Sequence, residues 1–325
     1  MKFHRRQFLH LAVGAAALPA VSRVAWTQSY PNRYVRLVVP FAAGGGGDAL
    51  ARPLANRLSE MWGQQVVIEN RGGAGGNVGA QAAAQSEPDG YTILLGGGAN
   101  LATNPLLFPS SYNPANDLAP VTVVTVIPNL MMVPNSSPAR SVKEFIDYAK
   151  ANPGKITFAS SGVGASPHLS GELFKRKVGI PMIHVPYRGA GPAMNDLIPG
   201  RVDTMFTNLP GVISQHLSGT IRGLAVTSAK RSPALPDIPT VGETVPGFEV
   251  SGWWGLFVPA KTPSEIIAKI HSDAVAALEH PSVKQRYDAI GAPVMTSTPA
   301  ELAARLALET EKWGPIVKEA GIKPE

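Results

Sequence analysis

Residues 34–62 read YVRLVVPFAAGGGGDALARPLANRLSEMW, and this stretch decides the fold. Its compact, β-branched start predicts a strand over residues 34–39. A flexible glycine loop follows at residues 40–47. Asp48 is suited to cap a helix over residues 49–62, whose leucines repeat on one face. Strand, glycine loop and helix in this order are typical of a parallel βαβ unit.

The same order recurs further along the chain. A second glycine loop at residues 71–76 separates a strand from a helix that Asn77 can cap. A third glycine-rich segment, residues 96–100, also follows a strand. A second series of alternating strands and helices occupies residues 156–227. The chain is therefore predicted to be an α/β protein.

Chain length and the path of the chain predict two lobes. A chain of 325 residues exceeds what one hydrophobic core usually serves. The apolar run at residues 253–258 can carry the chain back from the second series to the first. We expect lobe 1 to contain residues 28–125 plus 249–325, and lobe 2 to contain residues 126–248. Two crossings between lobes form a hinge over a cleft, which suits closure on a ligand.

Composition excludes several classes of protein. The absence of cysteine excludes disulfides, thiolate catalysis and zinc–thiolate sites. Residues 1–27 hold four of the 29 basic residues and no acidic residue. The remaining 25 basic and 23 acidic residues leave a charge near +2, too small for a nucleic-acid surface. The seven histidines show no paired metal-ligand spacing, so we predict no metal and no cofactor.

The N-terminus is predicted to be an export signal over residues 1–27. Arg5 and Arg6 precede a short apolar run, residues 11–18, which is too short to span a bilayer. The arginine pair is typical of a twin-arginine signal, and an ordinary secretory signal is the alternative. We expect cleavage before Gln28 and a periplasmic protein.

Three segments are suited to bind an anion. They are the loop before Asp48, the loop before Asn77, and the serine-rich turn at residues 160–166. Exposed N–H groups at helix N-termini attract anions through hydrogen bonds and the helix dipole. The sequence therefore predicts a carboxylate site, although the glycines could serve only to allow tight turns.

Several single residues have two interpretations. Asp48 is either a simple helix cap or an acceptor for a ligand group. His168, at a helix start, is either structural or part of the site. Arg188 follows a strand and either pairs with a carboxylate or lies in solvent. Trp253 and Trp254 are interpreted as packing residues at the hinge.

The main alternative is an exported dinucleotide-dependent oxidoreductase. Gly44, Gly46 and Ala49 follow a strand and open a helix, with Glu69 ending the next strand. This spacing satisfies a dinucleotide-binding fingerprint, but a run of four glycines matches many templates by chance. No nucleophile elbow or Walker motif occurs.

A family resemblance covers nearly the whole chain after the export signal. It resembles the Bug family of tripartite tricarboxylate transporter substrate-binding proteins. The segments that carry it are Tyr30-Pro31, residues 35–45, Asp48, residues 67–77, 88–92 and 158–162, His168-Leu169 and residues 184–189. The resemblance implies a two-lobed type II periplasmic binding fold and a small carboxylate ligand: a dicarboxylate, tricarboxylate, aromatic acid or acidic amino acid.

In that family, the first glycine loop and the serine-rich loop of lobe 2 hold a carboxylate. The resemblance also implies a binding protein rather than an enzyme, with a membrane permease or a sensor kinase as partner. We expect a monomer and no nucleic-acid partner. The candidate ligand-binding residues are Phe41, Ala42, Ala43, Gly44, Gly47, Asp48, Asn77, Asn100, Ser160, Ser161, Gly164, Ser166, His168, Arg188 and Asn208.

Overall fold

The structure is a computed structural model that describes residues 30–107 and 112–319. The predicted export signal at residues 1–27 therefore lies outside the described residues. Residues 30–32 belong to an N-terminal unit, while the sheet and its helices belong to the unit that begins at Arg33. Within the described ranges, no helix combines the length and apolarity needed to cross a bilayer.

A curled sheet of nine strands organises the fold, in the order β2-β1-β3-β9-β4-β7-β5-β6, with β8 paired to β4. Its strands are β1 (Val35–Val39), β2 (Val66–Asn70), β3 (Thr92–Gly97), β4 (Leu118–Val133), β5 (Thr157–Ser160), β6 (Ile183–Pro186), β7 (Thr204–Asn208), β8 (Arg222–Val226) and β9 (Ser251–Pro259).

Helices connect most of these strands. Within the described residues they are α1 (Gly46–Trp62), α2 (Asn77–Ala84), α3 (Asn104–Leu107), α4 (Pro114–Asp117), α5 (Val142–Ala151), α6 (Ser166–Val178), α7 (Ala190–Leu197), α8 (Ile213–Leu217), α9 (Val241–Thr244), α10 (Ser264–Glu279), α11 (Pro281–Ala289) and α12 (Pro299–Glu319). A π-helical turn, Ala99–Thr103, precedes α3.

Strand pairing confirms the predicted βαβ units. β1 runs parallel to β2 and β3, and β5 runs parallel to β6 and β7. The long strand β4 pairs with β9 over Leu118–Pro128 and with β7 over Asn129–Met132, both antiparallel. β4 therefore joins a first half of the sheet (β2, β1, β3, β9) to a second half (β7, β5, β6, β8). The lobe boundaries given above stay a prediction.

Each half of the sheet has its own apolar core. In the second half, Phe145 of α5 and Phe174 of α6 pack with buried Phe158 and Phe206 of the sheet. In the first half, buried side chains of β3 and β9 pack against α2 and α12. Full burial of one such side chain stabilises the fold by about 1.5–3 kcal/mol. The two cores hold the loops between strands and helices in place.

Two predicted helix caps are wrong. Helix α1 begins at Gly46 with Gly45 as its N-cap, so Asp48 lies inside the first turn. Helix α2 is preceded by Gly76 at its N-cap position, and Asn77 is its first residue. In both places the chain turns into the helix at glycine, earlier than the side-chain preference of Asp or Asn indicates.

A candidate ligand-binding cleft

A cleft lies at the carboxyl ends of β1, β3, β5 and β7, between the two halves of the sheet. It encloses about 470 Å³ of space not filled by atoms, part of it open to solvent. Ligands of open α/β sheets bind in this position. The lining residues are Phe41, Gly45, Gly46, Gly47, Gly97, Gly98, Asn100, Ser161, Ala165, Ser166, Pro167, Ala190, Thr207, Asn208, Gly252, Trp253 and Trp254.

Three helices begin at this cleft. Gly46 and Gly47 open α1, Ser166 and Pro167 open α6, and Ala190 opens α7. Within the described chain, none of these three N-termini has a side-chain cap. The first-turn N–H groups of a helix lack partners within the helix. The cleft therefore gathers N–H groups that lack partners within their helices and the positive ends of three helix dipoles, which favour an anion.

The glycine loop allows a close approach between the walls. A Cβ atom on Gly46 would lie 2.7 Å from Cβ of Asn208, which belongs to the second half. A Cβ atom on Gly47 would lie 2.7 Å from Cη2 of Trp254. The Phe41 ring meets the Trp254 ring edge-on, with centroids 5.7 Å apart. Glycine is needed at Gly46 because Asn208 of the opposite wall leaves no room for a methyl group, and at Gly47 because Trp254 of the same half leaves none.

The serine-rich turn presents hydroxyl groups on the opposite wall. Ser161 and Ser166 both line the cleft and are half-buried. The amide of Asn208 donates to Asn129 Oδ1 at 2.6 Å and to Ser166 Oγ at 3.3 Å. The Asn129 amide donates in turn to Ser170 Oγ at 2.9 Å. This network of neutral groups fixes the positions of Ser166 and Asn208.

Two stacked histidines support the serine-rich turn from behind. The ring centroids of His168 and His184 are 3.9 Å apart, and the two ring planes are nearly parallel, at 15° to each other. His168 Nδ1 accepts from the Gly164 N–H at 3.1 Å, and His184 Nε2 lies 2.7 Å from Ser160 Oγ. Burial, aided by Lys175, lowers the pKa of His168 to about 4. Burial also lowers the pKa of His184, so both rings are neutral at neutral pH.

Two buried donors at the cleft have no hydrogen-bond partner in the described part of the chain. Asn100 is fully buried, and its Oδ1 accepts from the Gly97 N–H at 2.7 Å. Its Nδ2 atom has no hydrogen-bond partner among the described residues. The same holds for Nε1 of Trp253, which is also buried. Buried polar groups are normally paired, so these donors indicate a place for an acceptor that the protein does not supply.

Two hydrogen bonds to backbone carbonyls hold the halves together beside the cleft. The Thr103 hydroxyl, fully buried, donates to the Gly164 carbonyl at 2.8 Å. The Ala42 N–H donates to the Arg188 carbonyl at 3.2 Å. We call these two hydrogen bonds the clasp. Neither donor belongs to the cleft lining, so the clasp brings the walls together without occupying the ligand space.

The structure brings part of the predicted residue set together. The lining includes six of the predicted residues: Phe41, Gly47, Asn100, Ser161, Ser166 and Asn208. The other nine lie outside it: Ala42, Ala43, Gly44, Asp48, Asn77, Ser160, Gly164, His168 and Arg188. Whether any of the fifteen binds a ligand stays a prediction.

The nine residues outside the lining have other contacts. The buried carboxylate of Asp48 accepts from the Gly44 N–H at 3.1 Å and pairs with Arg52 at 2.9 Å. Ser160 and Gly164 belong to the serine-rich turn, where Ser160 bonds to the Gly162 carbonyl and the Gly164 N–H donates to His168. Ala43 and Arg188 are exposed. Asn77 is buried at the first position of α2.

Sequence reasoning missed the lining residues that are distant in the chain. Gly252 and Trp254 come from β9, which reaches the cleft because it pairs between β3 and β4. Ala190 lines the cleft because α7 begins there. The sequence carried one signal for these residues: a glycine directly precedes α7, and another directly precedes the two tryptophans of β9. Glycine at such a position often marks a place where two parts of the backbone approach closely.

Comparison with known proteins gives the family. The family model described as "Tripartite tricarboxylate transporter family receptor" matches residues 50–322. This chain belongs to that family. The family resemblance found in the sequence is thereby confirmed.

Solved structures agree with membership in the tripartite tricarboxylate receptor family. "Periplasmic binding protein BugD" is 37% identical with a TM-score of 0.87, covering 91% of this chain and 100% of its own. "R. palustris Rpa4515 with adipate" is 40% identical with a TM-score of 0.88 and the same coverage. MatC from Rhodopseudomonas palustris "with bound malate" is 33% identical with a TM-score of 0.84, covering 89% and 100%. These confirm the predicted binding-protein fold.

The dinucleotide alternative is not supported for this member of the family. Its family and its structural neighbours are receptors and binding proteins. Glu69, which would bind a ribose, pairs instead with Arg71 and with Arg36 at 3.4 Å. Gly46 serves the close approach described above, whereas Gly44 adopts a positive φ of 80°, which favours glycine.

Proposed function

We propose that this chain captures a small carboxylate in the cleft and closes on it, without catalysing a reaction. The convergence of three uncapped helix N-termini carries this proposal, because their N–H groups and dipoles favour an anion. Adipate and malate, the ligands of two structural neighbours, belong to this chemical class. Hydroxyl groups of Ser161 and Ser166 would add hydrogen bonds from the facing wall.

Binding and closure are coupled through the two walls. Lobe 1 (residues 28–125 and 249–325) contributes the glycine loop, and lobe 2 (residues 126–248) contributes the serine-rich turn. A carboxylate that contacts both walls is bound only when they are close together, so it favours the closed state. The closed monomer is then recognised by a membrane permease or a sensor kinase.

Export places this receptor in the periplasm. The arginine pair Arg5-Arg6 and the short apolar run at residues 11–18 support a twin-arginine signal that is cleaved before Gln28. The periplasmic binding protein BugD, with the same fold, supports the location. The intact mass of protein recovered from the periplasm tests this directly, because cleavage removes residues 1–27.

A thermal-shift screen tests the proposed binding. Purified protein is heated with adipate, malate, citrate, nicotinate and benzoate, and with NAD and NADP as controls. A ligand that binds only the folded state raises the melting temperature. We expect a rise with at least one acid and none with the dinucleotides. A rise with NAD or NADP alone would contradict the proposal.

A further inference from the structure

A second space open to a ligand lies away from the cleft, between helix α12 and residues 293–297. We call it the side groove. It encloses about 900 Å³ not filled by atoms, part of it open to solvent, and its lining shares no described residue with the cleft. Residues 293–297 are fixed to β4, because the Met295 N–H donates to the Val124 carbonyl at 3.1 Å. The Ser297 N–H likewise donates to the Thr122 hydroxyl at 3.0 Å.

Arg305 of α12 is a cation without a partner in the side groove. It is half-buried, and its guanidinium has no hydrogen bond or ion pair among the described residues. Glu301 and Glu309 stand four residues to either side, a spacing at which helical ion pairs form. Glu301 instead accepts from the N–H and hydroxyl groups of Thr298. Glu309 accepts from Nε1 of Trp313 at 2.7 Å, so Arg305 is left for an anion from outside.

The walls beside Arg305 are apolar. Leu308 is 66% exposed and Met295 is 46% exposed, and Ala304 and Val123 also line the side groove. Removing such apolar surface from water stabilises a complex. Leu308 follows Arg305 by about one helical turn, so a single small molecule can contact both side chains.

We propose that the side groove binds a small monocarboxylic acid with an apolar chain. Its carboxylate pairs with the Arg305 guanidinium, and its chain lies against Leu308 and Met295. A second carboxylate at the far end of the chain would meet no further free cation among the described lining residues and would lie near Glu301 or Glu309, so diacids bind weakly. The site does not depend on the capture proposed for the cleft.

Methionine methyl NMR reads the side groove separately from the cleft. Met295 lines the side groove, whereas no methionine of the described chain lines the cleft. Protein with isotopically labelled methionine methyl groups is titrated with octanoate, and Met295→Leu identifies the Met295 signal. We expect this signal to shift and saturate at millimolar octanoate. Octanamide, which lacks the charge, and suberate, which adds a second carboxylate, should each bind at least about tenfold more weakly.

The variant Arg305→Gln tests the charge. It keeps a polar side chain but removes the cation, so the affinity for octanoate measured at the Met295 signal should fall at least about tenfold. Arg286→Gln is the control, because it removes an exposed arginine of α11 that lies outside the side groove. It should leave the affinity unchanged.

The variant Leu308→Ser tests the apolar wall. Loss of the exposed leucine should weaken octanoate binding about fivefold. Leu217→Ser in α8 is the matched control, because Leu217 is 67% exposed and lies outside the side groove. Both leucines are mainly in solvent, so the melting temperatures of the two variants should stay close to that of the unmodified protein.

Each contrary result overturns a stated part of the proposal. A Met295 signal that octanoate leaves unmoved would overturn the site, while capture in the cleft is decided separately by the thermal-shift screen. Octanamide binding as tightly as octanoate, or an unchanged affinity in Arg305→Gln, would overturn the role of Arg305. Suberate binding as tightly as octanoate would overturn the preference for monocarboxylates. Equal affinities in Leu308→Ser and Leu217→Ser would overturn the role of the apolar wall.

Discussion

The two loops that face each other across the cleft are built in opposite ways. The loop of the first half, residues 41–47, presents backbone and almost no polar side chain. The turn of the second half, residues 160–166, is held by side chains: Ser160 binds the Gly162 N–H, and His168 binds the Gly164 N–H. One wall depends on the absence of Cβ atoms, and the other depends on buried polar partners.

This difference predicts that different kinds of change disrupt the conformation of each wall. A loop shaped by close backbone approach is damaged by adding atoms, and salt or pH should affect it little. A turn held by neutral histidines and hydroxyls is damaged by removing a partner or adding a proton. Variants of each kind can therefore break or sharpen the comparison.

Adding a methyl group to the glycine loop should have the largest effect. In Gly46→Ala, the new Cβ would lie 2.7 Å from Asn208 Cβ, so the walls cannot close fully. We expect ligand affinity to fall about 100-fold, equivalent to about 3 kcal/mol. Calorimetry measures this with the acid identified above. Gly314→Ala in helix α12 is the control, because its added Cβ meets nothing closer than 3.8 Å.

Acid should weaken the fold through the serine-rich turn. Unfolded His168 takes up a proton below its ordinary pKa of 6.5, whereas the folded residue stays neutral until about pH 4. The unfolded state thus binds more protons in this window, and stability falls as pH drops from 6.5 to 4. Melting temperatures across that range measure the slope.

The variant His168→Asn should flatten part of this slope, because it removes one of the two imidazoles whose pKa is lowered on folding. The turn should remain intact, because the asparagine amide oxygen can still accept from the Gly164 N–H. His184 remains and contributes in the same direction. His280→Asn, at the start of α11, is the matched control because asparagine can preserve its capping bond to the Ser282 N–H. Equal slopes in all three proteins would show that the histidine stack is not the acid-sensitive support.

Loosening the clasp should have the smallest effect. Thr103→Val keeps the shape but removes the hydrogen bond to the Gly164 carbonyl. Loss of about 1 kcal/mol should reduce affinity about fivefold, by the same factor for every ligand, because Thr103 does not line the cleft. Thr310→Val in α12 removes a comparable bond to Leu306 and is the control. A ligand-dependent effect would mean that Thr103 contacts the ligand itself.

Local sequence signals predicted much of the fold. Residues 34–39 gave a strand pattern that matches β1 (Val35–Val39), and the helix expected over residues 49–62 matches α1 apart from its first turn. β-branched runs and glycine loops work as signals because they reflect the backbone preferences of neighbouring residues. The helix start was missed because two glycines joined the helix against their usual preference.

The sequence by itself determined an α/β chain with glycine and serine-rich loops suited to an anion, and it carried the family resemblance. Only the tertiary structure decided which groups meet. Sheet order put Trp254 of β9 against Gly47, and burial left Nδ2 of Asn100 without a partner among the described residues. Strand pairing and burial depend on residues far apart in the chain, which local patterns do not encode.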